Sequence, residues 1–162
     1  SRGGHAPMTT LPTELETVGR LVLAAVLGYL IGLERESAGQ AAGERTHALV
    51  ALGSAAFALL SITAFPGSDS SRVAAGVVTG LGFLGAGTIL KGEDTRVRGL
   101  TTAAGIWAVG AVGLAIGSGR YFIGLTTVVI AGVVLLSERF LRIGDRLAHR
   151  RSVSNAEDSR QR

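Results

Sequence analysis

The stretch Leu100-Thr101-Thr102-Ala103-Ala104-Gly105-Ile106-Trp107-Ala108-Val109-Gly110-Ala111-Val112-Gly113-Leu114-Ala115-Ile116-Gly117 contains no charged residue. A helix at the surface of a soluble domain carries charge on the face it turns to water, and this run has no such face. Four other segments repeat the pattern: Val18–Leu33, Ala48–Phe65, Val73–Leu90 and Tyr121–Ser137. Together the five take up more than half of the 162 residues and hold one charge, Arg20. Every other charged side chain lies between or beyond them. With 47% hydrophobic residues and 17% charged ones so unevenly placed, an ordinary soluble α/β domain and a disordered chain are both excluded. A soluble helical bundle built from these runs would keep almost no polar surface.

Segment length points the same way. At about 1.5 Å per residue, runs of this size span roughly 24–27 Å, near the thickness of the hydrocarbon core of a thin bilayer. Within lipid the backbone must satisfy its own hydrogen bonds, which favours helices. Val128-Val129-Ile130 and Val133-Val134-Leu135-Leu136 are apolar without alternation, unlike barrel strands. The expected fold is an all-α integral membrane protein, a compact bundle of about five transmembrane helices over residues 15–137. Residues 1–14 read as a disordered or cloning-derived N-terminus. Residues 138–151 read as a basic cytoplasmic extension of the last helix, lying on an anionic membrane surface or simply stopping transfer. Residues 152–162 read as a disordered tail.

Charge sets the expected orientation. Five spans place Arg2, Arg20, Arg72 and Arg120 on one side and the other twelve basic residues on the opposite side. The positive-inside rule puts the N-terminus outside and the C-terminus in the cytoplasm. Seven of those twelve belong to the C-terminal tail, so the tail weighs most. The net charge of +4 is accounted for by the membrane, and no nucleic-acid partner is expected. There is no cysteine, hence no disulfide or zinc-thiolate site. His5, His47 and His149 are too far apart in sequence to form a ligand motif. No nucleophile–base pair stands at a recognisable spacing, so the chain reads as a non-enzyme.

The glycines are patterned. Gly28/Gly32, Gly76/Gly80 and Gly113/Gly117 form three GxxxG pairs, which let helices approach closely in lipid. Three such faces exceed what one small bundle needs, and a homodimer is the simplest expectation. Gly80, Gly82 and Gly85 match a dinucleotide fingerprint, but inside an apolar span that reading fails. The run from Gly80 through Gly85 and Gly87 to Thr88 is a helix-packing surface or a locally broken helix whose carbonyls could line an ion pathway. Thr101, Thr102 and Trp107 are the polar or amphipathic groups of the fourth span, and Trp107, mid-span, is expected to face other helices.

The charged groups gather at the ends on the expected cytoplasmic side. Glu34, Arg35 and Glu36 close the first helix, Arg45 and His47 open the second, and Arg98 precedes the fourth. Charges at one depth at the hydrocarbon edge should pair. They form either a salt-bridge cluster or, through Glu34 and Glu36, a site for Mg2+, an ion that takes one or two carboxylates and keeps several waters.

Gly32-Leu33-Glu34-Arg35-Glu36, Gly43-Glu44-Arg45-Thr46-His47-Ala48-Leu49-Val50, Gly82-Phe83-Leu84-Gly85-Ala86-Gly87-Thr88-Ile89 and Val97-Arg98-Gly99-Leu100-Thr101-Thr102-Ala103-Ala104 with Trp107 resemble the MgtC/SapB family of bacterial inner-membrane proteins. The resemblance covers about residues 15–137. It implies a multi-pass protein of the cytoplasmic membrane tied to magnesium homeostasis, to growth at low magnesium and, in pathogens, to virulence. It also implies that the positions Gly32-Leu33-Glu34-Arg35-Glu36, Arg45-Thr46-His47, Gly82-Phe83-Leu84-Gly85-Ala86-Gly87 and Gly99-Leu100-Thr101-Thr102-Ala103-Ala104 are the functional ones. Two roles are open within it: a magnesium transporter, or a regulator that does not transport and that binds another membrane protein such as the ATP synthase or a transporter. Many members add a soluble C-terminal domain, which this sequence does not include.

Overall fold

The computed structural model describes residues 12–65, 69–91 and 97–137. The expectations for the tail segments 138–151 and 152–162, and for most of 1–14, lie outside the described residues.

Helix α1 runs Glu14–Ser37, capped by Thr13, whose hydroxyl accepts from the Glu16 amide at 3.2 Å. Glu14 and Glu16 in its first turn and Arg35 in its last complement the helix dipole. Gly39, at φ +69°, takes the left-handed conformation that turns the chain back. Helix α2 spans Glu44–Thr63 and helix α3 Ser71–Ala86. The Asp69 carboxylate accepts from the Ser71 amide at 2.9 Å at the start of α3. A short antiparallel ladder follows, β1 (Leu90–Lys91) with β2 (Val97–Arg98), in the register Leu90 to Arg98 and Lys91 to Val97. Helix α4 spans Leu100–Gly117, and helix α5 spans Tyr121–Ser137.

The architecture is helical, with five helices among the described residues. Helices α1, α2 and α4 are each long and apolar enough to cross a membrane, with mean hydropathy of 1.6 to 1.7. Helices α3 and α5 are shorter apolar helices. Two departures from the sequence reading stand out. The ladder was not anticipated, because two-residue strands leave no periodic signal. Helix α3 is continuous from Ser71 to Ala86, so Gly80, Gly82 and Gly85 are helical, and the chain leaves the helix only at Gly87 and Thr88. There the Thr88 hydroxyl donates to the Gly85 carbonyl at 2.8 Å.

Helix α2 is the centre of the bundle. A Cβ on Gly28 of α1 would lie 2.5 Å from the His47 carbonyl oxygen and 2.7 Å from Ala51 Cβ. On the other flank a Cβ on Gly113 of α4 would lie 2.7 Å from Ser54 Cβ, and one on Gly117 2.5 Å from the Ala55 carbonyl oxygen. The small residues bring three backbones together, as expected where helices associate by close packing. Ala24, Leu27, Ile31, Ala51, Ala55, Val109, Val112 and Ile116 fill the core between them. Helix α3 leans on α4, with Leu81 against Gly110 and Gly85 beside Ala103. Helix α5 packs through Gly124 on Ile116.

These contacts make consecutive helices antiparallel and give the bundle two ends. At one end Arg20 donates through Nη1 to the Gly117 carbonyl at 2.9 Å and through Nε to the Tyr121 hydroxyl at 3.1 Å, and pairs with Glu16. The Arg20 guanidinium thus serves the end of α4, where carbonyls lack helical partners.

Candidate functional site: the polar end of the bundle

The other end collects the C-terminus of α1 and the N-termini of α2 and α4. The approach is tight: a Cβ on Gly32 would collide with Glu44 Cα, and one on Gly43 with the Glu36 carboxylate. The second GxxxG residue of α1 therefore lets the first turn of α2 rest directly on the helix.

Arg35 and His47 are buried in this junction, at 1% and 0% exposure. Arg35 Nη1 lies 3.5 Å from Glu34 Oε2, and both residues act electrostatically on His47. His47 Nδ1 sits 2.9 Å from the Gly43 carbonyl. A carbonyl only accepts, so Nδ1 carries the proton, and a neutral ring then presents Nε2 as a lone pair. Gly105 of α4 faces that nitrogen, at a separation where a Cβ would be 3.4 Å away. Among the described residues neither His47 Nε2 nor the buried Glu44 Oε2 has a hydrogen-bond partner. The junction thus holds two buried acceptor atoms, each able to accept from a water. Thr102, 1% exposed, donates to Gln40 Oε1 at 3.1 Å and ties the α1–α2 loop to α4.

Of the residues singled out from sequence, Glu34, Arg35 and His47 meet here. Glu36 is exposed, and its carboxylate lies over Gly43 at the N-terminus of α2, a favourable place for negative charge. Arg45 is exposed on another side of α2, at the mouth of a groove shared with α3. Arg98 is in β2, opposite Leu90. Thr88 links the end of α3 to the ladder, since a Cβ on Gly99 (φ +87°) would strike its carbonyl. Thr101 is exposed while Thr102 is buried.

Trp107 is 52% exposed, contrary to the expectation that it faces other helices. Helix α4 turns Gly105, Val109, Gly110, Val112 and Gly113 inward, which leaves position 107 on the outside. Among the described residues, no group of three His, Asp or Glu side chains is placed to hold a metal ion. Sequence reasoning passed over Gln40 and Glu44 as site residues. Gln40 has no signal in a loop, whereas Glu44 could have been found from Gly32, whose helix face demands a close neighbour.

The MgtC family profile matches residues 21–143, a span that includes every element of this site. The chain is 46% identical over 128 residues to the Escherichia coli (strain K12) protein named "Putative magnesium transporter YhiD", covering 74% of this chain and 59% of that protein. It is 44% identical over 125 residues to Protein MgtC of Salmonella typhimurium (strain LT2), covering 76% of this chain and 53% of that one. An uncharacterised Haemophilus influenzae protein is 37% identical over 150 residues, 87% of this chain and 62% of the relative. The chain therefore spans little more than half the length of these relatives. No solved structure matches it. The glycine-mediated junction and its buried Arg35 and His47 are carried by the matched span, and the chain belongs to the MgtC family.

Proposed function

We propose that this chain is the membrane unit of a magnesium-homeostasis protein of the bacterial inner membrane, and that it acts on another membrane protein without conducting the ion itself. One observation carries the choice: the α1–α2 and α2–α4 interfaces at Gly28, Gly113 and Gly117 have no room for a single added carbon. Magnesium gives up its waters reluctantly, and these interfaces offer a hydrated ion no route. The groove between α2 and α3 has Arg45 at its mouth, and a fixed cation repels a dication. The connection to magnesium rests on the name carried by YhiD. That same name favours a second reading, a carrier with Glu34 and Glu36 as its cytoplasmic ligands.

Proteoliposomes loaded with a magnesium-sensitive dye separate the two. The regulator reading expects no uptake above protein-free vesicles at any magnesium gradient. Uptake by the wild type that disappears in Glu34→Gln would establish the carrier instead.

A further inference from the structure

Two of the three GxxxG pairs are buried in helix contacts, and the third is not. A Cβ built on Gly76 or on Gly80 of α3 meets nothing within 4 Å, and the same holds for Gly53 of α2. These three glycines line a groove of about 760 Å³ between α2 and α3. Its wall is apolar along its length, with Leu49, Phe57 and Leu84 among the lining residues. Arg45 and Thr46 stand together in the first turn of α2, at the polar end of the bundle.

We propose that this groove binds one acyl chain of an anionic phospholipid, with the lipid phosphate held by Arg45 and Thr46. Length, polarity and charge agree. From Arg45 to Phe57 the groove follows roughly 18 Å of helix, slightly more than one leaflet of a hydrocarbon core of about 30 Å. An acyl chain has the length and the chemistry to fill it. A guanidinium and a hydroxyl at the mouth offer a phosphate charge-assisted hydrogen bonds, and no carboxylate among the described residues lines the groove. Arg45 makes no ion pair among the described residues. The same charge disfavours the chain's own segment 138–151, which carries five arginines against two acids and would set like charge beside Arg45. The inference is independent of whether the protein transports or regulates.

The test is native mass spectrometry of the full chain, released from detergent with equimolar phosphatidylglycerol and phosphatidylcholine of identical acyl chains. Both lipids carry the phosphate that Arg45 and Thr46 hold, but only phosphatidylcholine adds a choline cation, which the Arg45 guanidinium repels by about 1 kcal/mol at a surface. The expected result is therefore about fivefold more phosphatidylglycerol than phosphatidylcholine adduct. Arg45→Gln, at an exposed position, removes that repulsion and should bring the two lipids to within about twofold of each other. The double variant Gly76→Leu/Gly80→Leu fills open space and should lose both adducts, with far-ultraviolet circular dichroism checking that its helices remain. Equal retention of the two lipids by the wild type would overturn the proposal. So would a lipid ratio unchanged by Arg45→Gln. Lipid-free wild type at twice the mass of the double variant would also overturn it, by showing a second copy seated in the groove.

Discussion

Gly28 and Gly76 open GxxxG pairs that look alike in the sequence and behave differently in the bundle. A side chain at Gly28 would meet the His47 carbonyl and Ala51, whereas one at Gly76 meets nothing. Gly28→Val should therefore destabilise the protein by about 1–3 kcal/mol, the usual range for forced overpacking. Gly76→Ala should be neutral or stabilise by up to about 1 kcal/mol through its better helix propensity. Thermal unfolding of both variants in one detergent checks the pair, and equal midpoints would contradict the packing described for α1. The carboxylates offer a similar contrast. Glu34 is largely shielded beside the buried Arg35, while Glu16 pairs with Arg20 at the surface, its own side chain 44% exposed. Glu34→Ala should cost on the order of 3 kcal/mol, the scale for breaking a buried ion pair. Glu16→Ala should cost less than about 1 kcal/mol, the scale for an exposed pair. Yield of folded protein and unfolding midpoint report the difference.

Helix α4 depends at its C-terminus on a side chain from another element. The Arg20 guanidinium of α1 reaches the Gly117 carbonyl and the Tyr121 hydroxyl, joining three helices at one point. Arg20→Leu should speed amide exchange in the Gly117–Tyr121 turn several-fold while leaving the polar end of α1 and α2 unchanged. Uniform protection in both proteins would show that the contact holds nothing in place. Sequence located the elements themselves well. The uncharged run Leu100–Gly117 coincides with α4, which ends where the apolar residues end, and the run Tyr121–Ser137 is helical throughout. Helix α1 extends beyond its run at both ends, since Glu14, Glu16 and Arg35 suit the dipole and continue the helix into polar surroundings. Helix α3 falls short of its run because Gly87 and Thr88 end it and Leu90 enters the ladder. Contacts were harder to read than elements. That His47 is buried against Gly105, while Arg45 two positions earlier faces another groove, depends on the rotation of α2, and a helix with apolar residues on every side gives no periodic signal to set it.

At the scale of the molecule, two expectations turn on how the bundle sits in the membrane. The homodimer was argued from three glycine faces, of which the Gly28/Gly32 and Gly113/Gly117 pairs are occupied within the chain. That leaves the Gly76/Gly80 face and outward residues such as Trp107 and Phe122 as the surfaces open to lipid or to a partner. Orientation is the sharper question. The antiparallel helix contacts put the ends of α1 and α3 and the starts of α2 and α4 at one end of the bundle, so the residues around Arg35, Arg45, Lys91 and Arg98 must share one side of any membrane it spans. The opposite end holds Arg20, Arg72 and Arg120. The rule counts basic residues near span ends, with acidic ones contributing little, so the expected cytoplasmic polar end rests on the split of four basic residues against twelve. We expect an alkaline phosphatase reporter fused after Gly119 to be active, which requires export, and one fused after Arg151 to be inactive. A green fluorescent reporter at the same two sites should give the reverse pattern. Activity of the phosphatase after Arg151 with silence after Gly119 would invert the protein in the membrane, and would place Glu34, Arg35 and His47 on the external face.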